Sequence, residues 1–383
     1  MYNAAKSGNL QEIERLSGLM SNINPVSIDG FDGGTIFHHA AYYGHLDIVK
    51  FYTDRLEDKN PGKISSNEYS GRSPLHYAAQ EGHMDVVRHF TSLLIIKNPS
   101  DDNGKTPLHL ASYYGHIEIV RHFTSILSDK MPKTGPYWNE KLPIHSAAEK
   151  GHQDVVEFLI QFLPNDINPP DNRGWTVLHY AANHGQLNII ELYEELVDNV
   201  NPKQNSSDEF NERTPLHQGA QNGHLQIVEY LVNRTNDKNP QDENGWTPLH
   251  LAASNGHERI VSFLLDQVTD KNPKSGDHWD QRTPLHDAAR NGHLDVIKLI
   301  LPHVEDINPH ASNGWSVLQY AAFYGHLNVV EFYTTKIENI NPGQTSENEF
   351  KGRTPMHDAS QEGHLDVVEF ICGLLDDKNP KDS

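Results

Sequence analysis

The chain has 383 residues, 52 of them acidic against 31 basic, with a formal net charge of −21 and 36% apolar content. That balance argues against nucleic acid or an anionic membrane as the main partner, since both require a basic face. The single cysteine, Cys372, leaves no intrachain disulfide to form and favours a reducing compartment.

From the N-terminus, Asn3–Leu19 reads as helical and polar, with Lys6, Ser7, Asn9, Gln11, Glu12, Glu14 and Arg15 along it. It lacks the apolar core of a secretion signal, and no apolar run in the chain approaches the roughly 18 residues that cross a bilayer. An intracellular, cytoplasmic protein without membrane insertion is expected. TIFH at Thr35–His38 then opens a recurring pattern: SPLH at Ser73, TPLH at Thr106, LPIH at Leu142, TVLH at Thr176, TPLH at Thr214, Thr247 and Thr283, SVLQ at Ser316 and TPMH at Thr354. These mark ten full units, starting near 35, 73, 106, 142, 176, 214, 247, 283, 316 and 354, behind a partial unit over 1–34. A polar terminal unit shields an apolar stack from water, so the partial unit reads as a cap. The last unit shows no such change, which is compatible with a short capping tail at Lys378–Ser383, a covering partner or a longer chain.

Asn244–Pro273 shows what one unit is. Thr247 suits an N-cap and Pro248 the first helical position, where a missing N–H costs nothing. Leu249, Ala252 and Ala253 then form a narrow stripe of small apolar residues that lets another helix come close. Gly256 reverses the chain. Ile260, Val261, Leu264, Leu265 and Val268 mark the buried stripe of a second helix that ends before Asn272-Pro273. Alone, such a helix–turn–helix buries little.

A period near 33 residues with this consensus resembles the ankyrin repeat family, over essentially the whole chain. The resemblance implies an all-α fold: an ankyrin-repeat solenoid of about 11 helix–turn–helix units with projecting loop or β-hairpin fingers, as one domain over 1–383. Departures from the pattern are Leu142 for the capping Thr, Val177 and Val317 for Pro, Gln319 for His and Gln186 for the turn His. Those units are expected to be looser.

Unit lengths carry a second period. Measured at the TPLH histidine, steps of 38, 33, 36 and 34 residues are followed by 38, 33, 36 and 33. The loops agree: NPGKISSNEYSGR, NPKQNSSDEFNER and NPGQTSENEFKGR recur one block apart, as do KMPKTGPYWNEK and KNPKSGDHWDQR. Block duplication accounts for this, and so does one contact surface shown twice.

Nine histidines stand at TPLH positions and nine in the G-H turns. Metal ligands must converge to about 2 Å from one ion, whereas neighbouring units stack at roughly 8–10 Å. The resemblance implies instead that the TPLH imidazole bonds backbone in adjoining turns. HExxH, GxxxxGK[ST], GxGxxG and GxSxG are all missing, so neither enzymatic activity nor a cofactor is expected. Acidic residues opening second helices, such as Asp47, Asp85, Glu118, Asp154, Asp295 and Asp366, complement the helix dipole and form a solvated acidic back.

What varies on the fixed frame is the candidate contact surface. The residue before the Thr position is Gly34, Arg72, Lys105, Lys141, Trp175, Arg213, Trp246, Arg282, Trp315 or Arg353. The resemblance implies that groove contacts come from this position and from the pair before the G-H turn. Those pairs include Tyr42-Tyr43, Tyr113-Tyr114 and Phe323-Tyr324, beside polar ones such as Gln80-Glu81. A row of Trp, Tyr and Arg has the composition of a binding hot spot. A second aromatic set, Phe31, Tyr69, Trp138, Phe210, Trp279 and Phe350, lies four residues before the Thr and suits either finger packing or contact. The expectation is a monomeric array that binds a protein or extended peptide, identity open, on its concave face. The alternative is a spacer or targeting segment of a larger protein, such as a cytoskeletal linker, the cytoplasmic region of a channel or a ligase adaptor.

Overall fold

The computed structural model of the chain describes residues 1–26, 33–63, 69–163, 165–205, 211–341, 343 and 352–375. Phe31, Phe210, Phe350 and Lys378–Ser383 lie outside the described residues. Among the described residues are 22 α-helices and no β-strand, only the isolated bridges Val26–Thr35 and His310–Ser316. None of these helices is long and apolar enough to cross a membrane.

Two compact units divide the chain: Met1–Ala181 with Asn188–Leu196, and Ala182–Leu187 with Val197–Ser383. Each is an all-α stack of helix pairs. In the first, the helices Tyr2–Ser7, Ile36–Tyr42, Pro74–Gln80, Pro107–Tyr113 and Pro143–Lys150 lie side by side in sequence order. In the second, Pro215–Gln221, Pro248–Ser254, Pro284–Arg290, Val317–Phe323 and Pro355–Glu362 do the same. The small residues of each stripe, such as Ala78 and Ala79 or Ala252 and Ala253, are fully buried between neighbours. Behind them the second helices bury paired β-branched residues, Ile119 and Val120 in one unit, Ile260 and Val261 in the other.

Two rows of histidine stitch the pairs together. In the TPLH row the Thr106 N–H donates to His109 Nδ1 at 3.2 Å. A backbone N–H can only donate, so the proton sits on Nε2, which donates to Lys141 O of the next repeat at 3.0 Å. His76 reaches Lys105 O, His145 reaches Pro169 O, and His250 and His286 reach Arg282 O and Pro309 O. The turn row points the other way: His83 donates to Tyr42 O, His116 to Gln80 O and His152 to Tyr113 O of the preceding repeat. The second unit repeats this with His257 to Gln221 O and His326 to Arg290 O.

The departures from consensus keep most of these bonds. Gln319 accepts from Ser316 N at 3.0 Å and donates to Arg353 O at 3.0 Å, the same two bonds with an amide. Leu142 N still donates to His145 Nδ1. Where Gln186 replaces the turn histidine, Asn188 Nδ2 donates to Gly151 O instead. A third stitch was not foreseen: among the described residues, the Asn of each Asn-Pro pair accepts the N–H of the second residue of the following first helix. Asn60 takes Leu75 N, Asn98 takes Leu108 N, Asn239 takes Leu249 N and Asn308 takes Leu318 N.

The turn glycine is required twice over. Gly115 has φ +77, and a Cβ there would lie 2.4 Å from His152 Nδ1. Gly115→Ala should therefore cost about 2–4 kcal/mol, from left-handed strain and from displacement of the His152 bond. A urea titration of the variant checks this; a loss under about 0.5 kcal/mol would mean the ring yields freely.

Candidate partner-binding site

Each of the four shorter fingers is tied at its base by one carboxylate or amide. Asp101 Oδ1 accepts from Asn103 N at 3.0 Å and Lys105 N at 2.8 Å, closing a turn in which Asp101 N donates to Lys105 O. Asp171 and Asp242 hold Trp175 N and Trp246 N in the same way, and Asn313 holds Trp315 N. The residue before the Thr position is thus fixed at its backbone. This explains how a loop with so little regular structure presents a side chain in a set direction.

The second oxygen of Asp101 and of Asp242 faces the preceding repeat, whereas Asp171 Oδ2 accepts from the Tyr180 hydroxyl at 2.6 Å. Arg72 Nε lies 3.4 Å from Asp101 Oδ2 and Arg213 Nε lies 3.0 Å from Asp242 Oδ2. Their guanidinium groups also donate to Gln80 Oε1 and Gln221 Oε1, each at 2.9 Å. Arg282 and Arg353 turn instead to carboxylates in their own first helices, Asp287 and Asp358, each at 3.0 Å. Burial pushes Asp101 and Asp242 up, with the arginine pulling back. It lifts Asp287 to about 7 and Asp358 to about 6 against the same opposing pull. Arg72, Arg213 and Arg282 are all buried; the first two brace one repeat against the next, and Arg282 braces its own first helix. Neither these carboxylates nor the Asn-Pro amides were singled out from the sequence. The signal was available as a recurring Asp-x-x-Gly in the shorter fingers.

The tryptophans are half-buried against their own surroundings. Trp175 stacks on His179 and sits edge-on to Tyr180 at 5.3 Å, with Arg173 4.8 Å over its ring. Trp246 meets Trp279 edge-on at 5.6 Å. Trp315 packs on Tyr320 and Phe323 at 5.2 and 5.0 Å. The pair positions are more open: Tyr114 is 44% exposed and Tyr324 38%, each edge-on to its neighbour, Tyr113 or Phe323. Tyr42 and Tyr43 are half-buried and edge-on at 5.0 Å.

In the first unit several of these positions converge on one cavity of about 190 Å³, lined among others by Arg72, Lys105, Tyr113, Tyr114, Trp138 and Lys141. Lys105 Nζ stands 3.4 Å from the centre of the Trp138 ring, and Lys141 Nζ lies 4.3 Å over Tyr180 and 2.9 Å from Glu149. The equivalent place in the second unit is filled differently. Trp246 occupies the Lys105 position and packs on Trp279, while Ser254 and Asn255 replace the tyrosine pair. The duplicated frame is shared and the surface has diverged.

The histidine rows contribute no chemistry to this cavity, because the ring nitrogens of the TPLH row are committed to backbone. Among the described residues no group of three or more His, Cys, Asp or Glu is placed to hold a metal ion. Cys372 is half-buried, its Sγ 3.4 Å from Met356 Sδ.

Comparison with protein-family models agrees with the geometry. A model described as ankyrin repeats (3 copies) matches residues 1–91, 55–131, 190–275, 268–342 and 306–382. A second, described as ankyrin repeats (many copies), matches 144–192. A search of curated proteins finds no match. With helix pairs, Thr-Pro caps and histidine stitches in register along both units, the chain belongs to the ankyrin-repeat family, whose members are generally protein–protein interaction modules.

Proposed function

We propose that the chain is a non-catalytic binding module that grips a protein or extended peptide on the concave face lined by its first helices and fingers. The observation that carries this is the exposed aromatic at the end of a first helix, Tyr114 in one unit and Tyr324 in the other. Its neighbours, Tyr113 and Phe323, hold each of these rings edge-on. A ring held by a neighbour offers large apolar area with few rotamers to lose, which is where interface energy concentrates. The module works inside the cell and turns over no substrate.

Trp175, Trp246 and Trp315 hold the corresponding position in their own repeats, but each also packs within its own unit, so alanine there removes stability along with contact. A cleaner test changes Tyr113→Ser and Tyr114→Asn together, because the other block carries those side chains at Ser254 and Asn255 in the same frame. The double variant should lose most captured partner from a native extract while its melting temperature moves by less than about 3 °C. Unchanged capture at unchanged melting would remove this face from the function.

A further inference from the structure

We infer that the loop edge at Leu93, Ile95 and Ile96 is a second docking surface, and that its occupant is an apolar peptide segment flanked by basic residues. This edge lies where the second helices end, apart from the concave face of first helices and fingers. Leu93 closes the helix Met84–Leu93 at 49% exposure, and Ile95 and Ile96 follow at 99% and 68%. They also displace a bond. In every other repeat whose loop is described, the Ile96 position is Asp or Asn, and its Oδ1 accepts the N–H two residues on. Asp58 takes Asn60 N in the preceding repeat and Asp129 takes Met131 N in the following one, at 2.9 and 3.0 Å. An isoleucine cannot accept. One repeat thus gives up an intramolecular bond to hold apolar surface in water, which serves a contact and not the fold.

Charge decides the occupant. Glu57, Asp58 and Asp129 stand exposed in the two neighbouring repeats, at the positions that match Ile95 and Ile96. Among the described residues none of the three pairs with a cation. The lysines of those loops turn inward instead: Lys59 donates to Thr53 O and Lys130 to Thr124 O, against the partial negative charge where their own helices end. Arg55 folds onto the Phe51 ring at 3.9 Å, and Lys97 is half-buried with its charge felt at His122. An apolar centre between outward carboxylates is complementary to aliphatic side chains set between cations. A second copy laid face to face would bring these acids against their own equivalents, and an anionic membrane would meet the same repulsion.

The test is fluorescence anisotropy on the full chain, at about 50 mM salt, with a labelled hexapeptide of two leucines between lysine pairs. Exchanging its lysines for glutamate, or its leucines for serine, should each weaken binding at least about tenfold. Ile95→Ser with Ile96→Asn should do the same without adding charge. The melting temperature of that variant should hold or rise, since Ser128 already stands at the Ile95 position and Asn199 makes the loop bond at the Ile96 position. Glu57→Gln with Asp58→Asn, which also keeps the loop acceptor, should weaken the lysine peptide about threefold and flatten its salt dependence. Equal binding of the glutamate peptide, or indifference to either double variant, would overturn the inference. So would a dimer in sedimentation that Ile95→Ser with Ile96→Asn dissolves, and so would binding of phosphatidylserine vesicles that the same variant abolishes. Capture through Tyr113 and Tyr114 belongs to the first helices and is measured separately, so failure here leaves the concave-face reading standing.

Discussion

Acidification from about pH 7 to about pH 4 is expected to unfold the chain in a steep transition with net proton uptake. Burial pushes the TPLH imidazoles far below their ordinary value: His38, His109, His145 and His250 to about 4, His76 and His286 to about 3. Geometry agrees, since protonation would put a hydrogen on Nδ1 where a backbone N–H already points. Between the ordinary pKa near 6.5 and these values the unfolded chain binds more protons than the folded one, so stability falls as pH falls. Each site contributes on the order of 3 kcal/mol across that window. The buried carboxylates act in the opposite sense. Asp287 at about 7 and Asp358 at about 6 hold a proton in the folded state that the unfolded chain releases, which favours folding in acid. Six histidines outweigh two strongly shifted carboxylates, and the net slope remains positive. Urea midpoints between pH 7 and pH 4.5 followed by circular dichroism measure it. A midpoint that stays flat or rises on acidification would mean that the imidazoles are protonated in the folded state.

Much of the repeating fold could be read in the residues, because a Thr-Pro cap, two alanines and a glycine turn impose local geometry that neighbours then copy. What the sequence left open was which polar side chains serve the frame and which serve the surface. Arg72 and Lys105 hold the same place in their units, yet one guanidinium is drawn into Asp101 and the other cation stands over Trp138. Nothing local separates them. The partner of Arg72 lies 29 residues away in the next finger, and only stacking brings it there. The same limit hid the Asn-Pro amides: each looks like a loop breaker until the following first helix supplies the N–H it accepts. Gln319, which reads as a departure, makes both bonds of the residue it replaces, because an amide offers one acceptor and one donor just as a neutral imidazole does.

That equivalence gives the second large effect. His250→Leu should destabilise the second unit by about 2–4 kcal/mol. The substitution leaves the Thr247 N–H without its acceptor in a fully buried place and takes one of two donors from Arg282 O, which keeps the Ser275 N–H at 2.8 Å; the imidazole bonds the two groups at 3.2 and 3.1 Å. A leucine of similar bulk avoids an empty cavity, so the loss reports desolvated polar groups more than missing volume. His250→Gln, by contrast, should cost less than about 1.5 kcal/mol at neutral pH, because Gln319 bridges Ser316 N and Arg353 O in the matching geometry. It should also remove one proton from the acid transition, since an amide does not titrate, so the glutamine variant loses less stability than the parent as the pH falls. Chemical denaturation at neutral and mildly acidic pH separates the two variants. Were leucine and glutamine equally costly at neutral pH, the stitch would be a matter of shape and the hydrogen bonds incidental. Were glutamine as acid-sensitive as histidine, the protons taken up on unfolding would have to bind elsewhere.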